Sequence, residues 1–158
     1  MRLNARNFYP WEIMASDRSE TFSLLEEDLQ QPVSFVILQL GENVSDATTF
    51  SEDLAELIKF LKARLSPKTI LVLGNFWKND ALDAQKQDVC ASTGAKYISL
   101  KDLQTPAYMA GLHAVVTGMH GERHEITHDG VARHPNDQAM KAIAERICQA
   151  LDASSMQQ

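Results

Sequence analysis

Three apolar runs along the chain predict the strands of a buried parallel sheet. The runs are "VSFVILQL" (residues 33–40), "TILVLGN" (residues 69–75) and "AKYISL" (residues 95–100). The first two are almost continuously apolar and rich in β-branched residues, as in strands that are covered on both faces. A sheet built from them would lie in the interior of the protein.

Amphipathic patterns between and after these runs predict helices. In "TTFSEDLAELIKFLKARLSPK", Thr49 and Glu52 predict a capping box, and Ser66 with Pro67 ends the helix. "DALDAQKQDVCASTG" predicts a second helix that stops at Gly94. A last helix is predicted over residues 135–151. The apolar face of the first helix consists of Phe50, Leu54, Leu57, Ile58, Leu61 and Leu65. That of the last consists of Met140, Ile143, Ala144, Ile147, Cys148 and Leu151.

This alternation of strand and helix predicts an α/β fold with right-handed βαβ units and a mostly parallel sheet. The N-terminal patterns are weaker: "ARNFY" (residues 5–9) predicts a short strand and "SETFSLLEEDL" (residues 19–29) a helix. Residues 101–130 contain Pro106, four glycines and four histidines. For this stretch we expect one short helix followed by a long irregular loop.

Length and charge narrow the class of protein. The 158 residues predict a single domain, residues 1–158, with residues 152–158 as a disordered tail. The net charge is −6 and no basic run occurs, so no nucleic-acid partner is expected. Cys90 and Cys148 are predicted to be reduced core residues. No apolar stretch approaches the roughly 20 residues that span a bilayer, so no membrane partner is expected. The sequence as given predicts a cytoplasmic protein, and a signal peptide encoded upstream is compatible with it.

Candidate chemistry begins at the carboxyl ends of the predicted strands, where parallel sheets bind ligands. "LQLGENV" places Gly41 and Asn43 just past the end of the first apolar run. A glycine lets a backbone N–H approach a ligand closely, and an asparagine amide can donate to a developing oxyanion. A simple strand-to-helix turn favours the same two residue types and is the commoner explanation.

A histidine precedes the last predicted helix. His134 stands directly before Pro135, and Asp129 is the nearest acid on its N-terminal side. Such a histidine can serve as a general base when a carboxylate orients its other ring nitrogen. The alternative, a solvated loop histidine, is the more frequent situation for a lone histidine.

Two further patterns have structural explanations that are stronger than the functional ones. Phe76 and Trp77 follow the second apolar run and would line a pocket or fill the core. Three histidines are spaced four residues apart and would share a helical face, where they could bind a metal. Glycines surround them and no apolar stripe accompanies them, so the spacing is better explained as accidental. We expect neither a metal nor a cofactor. The three are His120, His124 and His128.

Together, "LGENV" and "GVARHPNDQAMKAIAERI" resemble the SGNH subgroup of the GDSL hydrolases. The resemblance extends over residues 4–151 and implies a flavodoxin-like three-layer α/β/α fold. It also implies a serine esterase that acts on carboxylic or acetyl esters, with a small ester such as an acylated carbohydrate as substrate. By resemblance Asn43 is the oxyanion-hole amide and His134 the general base. Gly41 begins the block that carries Asn43.

The chain departs from the family pattern at its acid and at its nucleophile. The family's acid usually lies three residues before the histidine, and that position is Val131 here. Asp129, a backbone carbonyl or Asp137 remain as groups that could orient His134. No Gly-Asp-Ser block occurs in the sequence, and no apolar strand leads to Ser16. We expect the chain to begin at the family's second strand, without the first strand and the catalytic serine.

The missing first strand would leave one edge of residues 33–40 unpaired, or paired with residues 5–9. An unpaired apolar edge favours association, so three alternatives follow: a homo-oligomer through this edge, pairing with a separately encoded N-terminal piece, or a chain that is a fragment. Three hypotheses for function follow. The first is an SGNH-type esterase, or its C-terminal portion with little activity alone. The second is a non-catalytic α/β binding module derived from that fold. The third and weakest is a metal-dependent hydrolase that uses the histidine cluster.

Overall fold

The computed structural model describes residues 5–14, 17–26, 28–30 and 33–155. The chain divides into two compact units, Met1–Ser99 and Leu100–Gln158. Whether they make up one domain, as the chain length predicts, stays a prediction. Nowhere in the described ranges is there a helix both long and apolar enough to cross a membrane.

The first unit contains a three-stranded parallel sheet in the order β1-β2-β3. The strands are β1 (Phe35–Leu38), β2 (Thr69–Leu73) and β3 (Lys96–Ile98). Phe35 lies opposite Thr69, and Leu71 lies opposite Lys96. The predicted α/β class with a parallel sheet is therefore confirmed. The specific three-layer arrangement of the SGNH fold stays a prediction.

Two long helices connect these strands, as the sequence predicts. Helix α2 (Phe50–Leu65) buries its whole predicted apolar stripe. Helix α3 (Asp80–Thr93) begins at Asn79, whose side chain accepts a hydrogen bond from the Leu82 N–H. It ends at Gly94 in the left-handed conformation, as predicted. The predicted capping box at Thr49 is wrong, because the Thr49 hydroxyl donates to the Asp53 carboxylate at 2.7 Å.

The N-terminal segment differs from the prediction. Residues 5–8 form no strand, and α1 (Tyr9–Ile13) is a short helix with Pro10 in its first turn. Proline has no N–H to donate to a sheet, whereas the first turn of a helix needs none there. Two 3₁₀ helices, Arg18–Leu25 and Asp28–Gln30, replace the single helix predicted over residues 19–29. Ser16 lies outside the described residues.

The N-terminal segment adds no strand beside β1 within residues 5–14 and 17–26. Among the described residues β1 pairs with β2 alone, so the predicted pairing with residues 5–9 is wrong. The N-terminal segment instead contributes Phe8, Trp11, Leu25 and Leu29 to the apolar core of the first unit. The inner faces of α2 and β2 supply most of the remaining core.

The second unit contains a hairpin that the sequence prediction missed. Strands β4 (Val115–Thr117) and β5 (Arg123–Glu125) pair in antiparallel fashion where a long loop was expected. Two 3₁₀ turns precede them, Lys101–Leu103 and Pro106–Tyr108. The one short helix expected here corresponds to these two turns.

Two helices complete the second unit: α4 (Asp129–Ala132) and α5 (Asp137–Ser155). Helix α5 starts two residues later than predicted, because the Asn136 side chain accepts from the Ala139 N–H at 2.9 Å and caps it. It also continues through residue 155, so the disordered tail predicted for residues 152–158 is wrong for residues 152–155, and residues 156–158 lie outside the described residues.

The apolar face predicted for α5 is only partly correct. Ile143 is buried, whereas Met140 and Cys148 are exposed. Cys90 is buried as predicted, and both cysteines are free thiols. The prediction that Cys148 is a core residue is therefore wrong.

Candidate functional site

A buried polar network lies at the carboxyl edge of the sheet in the first unit. It joins the loop after β1, residues 41–43, with the loop after β2, residues 74–77. The side chains of Glu12, Asn75, Asp83 and Lys86 are all buried there. Buried charges are stable only when they are paired or hydrogen-bonded, so this cluster requires the contacts described below.

Three N–H donors of the first loop converge on the carboxylate of Glu12. The Gly41 N–H and the Glu42 N–H (2.9 Å) both donate to Glu12 Oε1. The side-chain amide of Asn43 donates to Glu12 Oε2 at 2.7 Å. Oriented N–H groups of this kind form a concave binding site for negative charge. The loop therefore binds a carboxylate through the predicted oxyanion-hole amide, Asn43, and through the backbone N–H groups of Gly41 and Glu42.

Glycine is required at the head of this loop. Gly41 has a φ of +113°, a backbone conformation that residues with a side chain rarely adopt. A Cβ at this position would lie 2.9 Å from Leu82 Cδ2 and 3.0 Å from Lys86 Cε. The close packing of α3 against the loop thus depends on the missing side chain.

A second carboxylate, Glu42, turns from the first loop toward the second. It accepts hydrogen bonds from the Phe76 N–H, from the Trp77 N–H at 3.4 Å and from the Asn75 amide at 3.3 Å. Burial raises the pKa of Glu42, and the Phe76 N–H and the charge of Lys86 act in the opposite direction. Phe76 is itself buried in the core, whereas Trp77 is partly exposed.

Lys86 supplies the positive charge of the network. Its ammonium donates to the Leu73 carbonyl at 3.0 Å and to Asn75 Oδ1. Burial lowers the pKa of Lys86 to about 8, although the carboxylates of Asp83 and Glu42 favour its charged form. Asp83 in turn accepts from the Asn75 N–H at 2.8 Å. Asn75 thus connects both loops to α3.

The other two predicted site residues, Asp129 and His134, lie in the second unit. Both side chains are exposed. The His134 N–H donates to the Val131 carbonyl at 3.0 Å, and the His134 carbonyl accepts from the Ala110 N–H at 2.8 Å, so its backbone is held on two sides. Asp129 is the first residue of α4. Its carboxylate has no hydrogen bond or ion pair within the part of the chain that the structure describes.

The three regularly spaced histidines do not share a helix. His120 lies in the hairpin turn, His124 lies on β5, and His128 caps α4 by accepting from the Gly130 N–H at 3.0 Å. No group of three or more potential metal ligands comes together in residues 5–14, 17–26, 28–30 and 33–155. The structure therefore offers no support for the metal-dependent hydrolase.

A cleft of about 350 Å³ lies at the opposite, amino end of β2 and β3. None of the predicted site residues lines it. Lys62 donates there to the Thr93 carbonyl at 2.5 Å, and a cation near the C-terminus of a helix is favourable for the helix dipole. The cleft is lined by Lys62, Ser66, Pro67, Lys68, Thr69, Ile70, Gly94 and Lys96.

The sequence prediction missed Glu12, Glu42 and Lys86. One signal was available for Lys86, because it follows Leu82 by four residues and precedes Val89 by three, on the buried face of α3. A lysine on an apolar stripe indicates a buried, paired charge. Glu12 gave no such signal, because it lies between the predicted strand over residues 5–9 and the predicted helix over residues 19–29, where no element was predicted.

Comparisons of the sequence with protein-family models and with curated proteins, and of the structure with solved structures, find no match. A proposal for the function therefore rests on two observations. They are the geometry of the loop after β1 and the resemblance of two sequence motifs to the SGNH hydrolases.

Proposed function

We propose that the chain is the oxyanion-binding and base-carrying portion of an SGNH-type serine esterase, with little activity alone. The observation that carries the proposal is the convergence of three N–H donors on Glu12. A carboxylate oxygen carries a partial negative charge, as does the carbonyl oxygen of an ester in the tetrahedral transition state. The Glu12 carboxylate is thus a stand-in for that oxyanion.

In this proposal each predicted residue has one chemical role. A serine hydroxyl attacks the ester carbonyl, and His134 accepts the serine proton. Asn43 donates its amide to the oxyanion of the tetrahedral intermediate. His134 then gives the proton to the departing alcohol, and water releases the acid in a second, equivalent step. Asp129 is the candidate for orienting the imidazole, and the substrate is a small ester such as an acylated carbohydrate.

Two features explain why the chain alone should be nearly inactive. No Gly-Asp-Ser block occurs in the sequence, and in this proposal residues outside these 158 supply the nucleophile. In addition, Glu12 occupies the donors of the Gly41–Asn43 loop. An ester carbonyl would have to displace a carboxylate that carries more negative charge.

The same occupancy favours a second candidate, a non-catalytic binding module. A loop whose donors are bound by a buried carboxylate of the same chain is stable without a ligand. In this alternative the network serves only to hold α1, α3 and the two loops together.

Ester hydrolysis by a lengthened chain separates the two candidates. The lengthened chain would carry the residues encoded upstream of Met1, which in this proposal supply the nucleophile. With p-nitrophenyl acetate we expect it to hydrolyse ester faster than the 158-residue chain. Asn43→Ala should lower that rate by about 10²–10³, as expected for one oxyanion donor. An equal rate for both chains, unaffected by Asn43→Ala and His134→Ala, would favour the binding module.

A further inference from the structure

The β4–β5 hairpin is exposed on both of its faces. All six strand residues are exposed, among them Val115 at 53% and Val116 at 43%. A two-stranded hairpin alone is marginally stable in water, and three or more strands are needed for independent stability. The hairpin therefore has fewer strands than an independently stable sheet needs.

The outer edge of β5 has backbone groups ready to pair. On the inner side, Glu122 accepts from the Gly118 N–H at 2.7 Å, and the Ile126 N–H donates to Ala114 at 2.9 Å. Inward and outward backbone groups alternate along an antiparallel strand, so those of Arg123 and Glu125 point outward. Within the described residues these outward groups have no hydrogen-bond partner.

The side chains along this edge are complementary to a second copy of themselves. β5 reads Arg123, His124, Glu125. In an antiparallel pair of two β5 strands with its two-fold axis at His124, Arg123 of each copy lies opposite Glu125 of the other. An axis at Arg123 or at Glu125 would instead place like charges opposite one another. Opposite charges stabilise a cross-strand pair, whereas like charges destabilise it.

We propose that two copies of the chain associate through the outer edges of β5 and form a four-stranded antiparallel sheet. Arg123 of one copy and Glu125 of the other would exchange two backbone hydrogen bonds. This arrangement is possible because the backbone N–H and carbonyl groups of both residues point outward from the hairpin. One face would carry a row of Val116 and His124 from each copy. The other would carry the two charge pairs, flanked by Val115 and Thr117. This edge is distinct from that of β1, and the inference is independent of the proposed esterase function.

Charge reversal tests the proposed register. The molar mass of the full chain, measured by light scattering over a concentration series, should be that of a dimer. Arg123→Glu or Glu125→Arg alone would create two like-charge pairs and should weaken association by about tenfold or more. The double variant Arg123→Glu/Glu125→Arg restores the opposite pairs and should dimerise again. Circular dichroism of each variant checks that the fold is intact.

A cysteine at the proposed axis gives an independent readout that does not depend on charge. Residues opposite each other in a non-hydrogen-bonded pair have Cα atoms about 4.5 Å apart, within the range of a disulfide. In a Cys148→Ser background, His124→Cys should form an intermolecular disulfide under mild oxidation. Thr117→Cys is the matched control, because it lies on the same exposed hairpin but far from its own copy.

Several results would overturn the proposal. They are a monomer at every concentration, a dimer that the single charge reversals leave unchanged, or equal cross-linking at Thr117→Cys and His124→Cys. A dimer that resists the reversals would point to the edge of β1 or β4 instead.

Discussion

Arg18 is an almost fully buried cation, exposed to only 1%. Its guanidinium donates to the Trp11 carbonyl at 2.9 Å, to the Asp46 carbonyl at 3.0 Å and to Asp53 Oδ2 at 2.5 Å. It also lies over the Trp11 ring, 5.3 Å from the ring centroid. One side chain therefore holds the N-terminal segment against the start of α2.

Replacing this arginine should be severely destabilising. Arg18→Met removes the charge and leaves the partly buried Asp53 carboxylate and two carbonyls without this donor. We expect the free energy of unfolding to fall by about 3–5 kcal/mol, as when one partner of a buried pair is removed. Urea denaturation measures this change in the free energy of unfolding. The control is Arg64→Met, which breaks the exposed pair with Glu26 and should cost about 1 kcal/mol or less. Equal decreases in the free energy of unfolding for the two variants would contradict the structural role assigned to Arg18.

Lys86 should make stability depend on pH in the alkaline range. Burial lowers its pKa from 10.5 to about 8 in the folded protein. Between these values the unfolded chain binds more protons than the folded one, so the contribution of Lys86 to stability increases as the pH rises. The unfolding free energy of the wild type minus that of Lys86→Met should therefore increase across this window, by up to about 3 kcal/mol.

Taking the difference between the two proteins isolates Lys86 from its neighbours. Burial also raises the pKa of Cys90 to about 11 and that of Tyr97 to about 12, which reduces stability at high pH. Both groups are present in the wild type and in the variant, so their effects largely cancel. A difference that stays flat or decreases between pH 8 and pH 10.5 would contradict the buried position of Lys86.

At the scale of elements, α2 contributes six buried residues to the apolar core of the first unit. Leu57 lies in the middle of its buried stripe and belongs to the apolar core. Leu57→Ala should lower the free energy of unfolding by about 2–5 kcal/mol, because it removes buried methyl groups and leaves a cavity. Leu24→Ala, at a leucine that is 45% exposed, is the control and should change it by about 0.5 kcal/mol or less. Denaturant titration of both variants compares them.

The elements that the sequence predicts well are those whose side chains are buried in a regular period. Strand β2 and helix α2 carry unbroken apolar patterns, and both occur where predicted. The hairpin of β4 and β5 has two exposed faces and three residues in each strand, so no burial pattern could reveal it. Residues 5–9 contain aromatic residues typical of strands, but Pro10 favours a helix start instead.

The candidate site is predictable only where its position along a strand indicates it. Gly41 and Asn43 follow an apolar run that was predicted as a buried strand, and that position alone placed them at the carboxyl edge of the sheet; in the structure Leu38 is the one buried residue of β1. Their partner Glu12 lies about 30 residues earlier, on a short helix with no amphipathic period. Contacts of this kind depend on tertiary packing, which no local pattern in the sequence encodes.

At the scale of the whole molecule, the chain consists of two compact units. The first unit contains the loop after β1 with Gly41 and Asn43, and the second unit contains Asp129 and His134. Each unit also has a strand, β1 or β5, with an outer edge that is unpaired among the described residues. Association through such an edge and catalysis by the predicted residues are separate properties, and each can be tested without the other.

The most direct test of the central claim is ester hydrolysis by the chain lengthened with the residues encoded upstream of Met1. The account predicts that this DNA encodes a strand ending in Gly-Asp-Ser, and that the longer chain hydrolyses p-nitrophenyl acetate. His134→Ala should then abolish most of that rate, while the 158-residue chain stays near the rate of buffer alone. The account would be contradicted by an upstream sequence without such a strand, or by a hydrolysis rate that His134→Ala leaves unchanged.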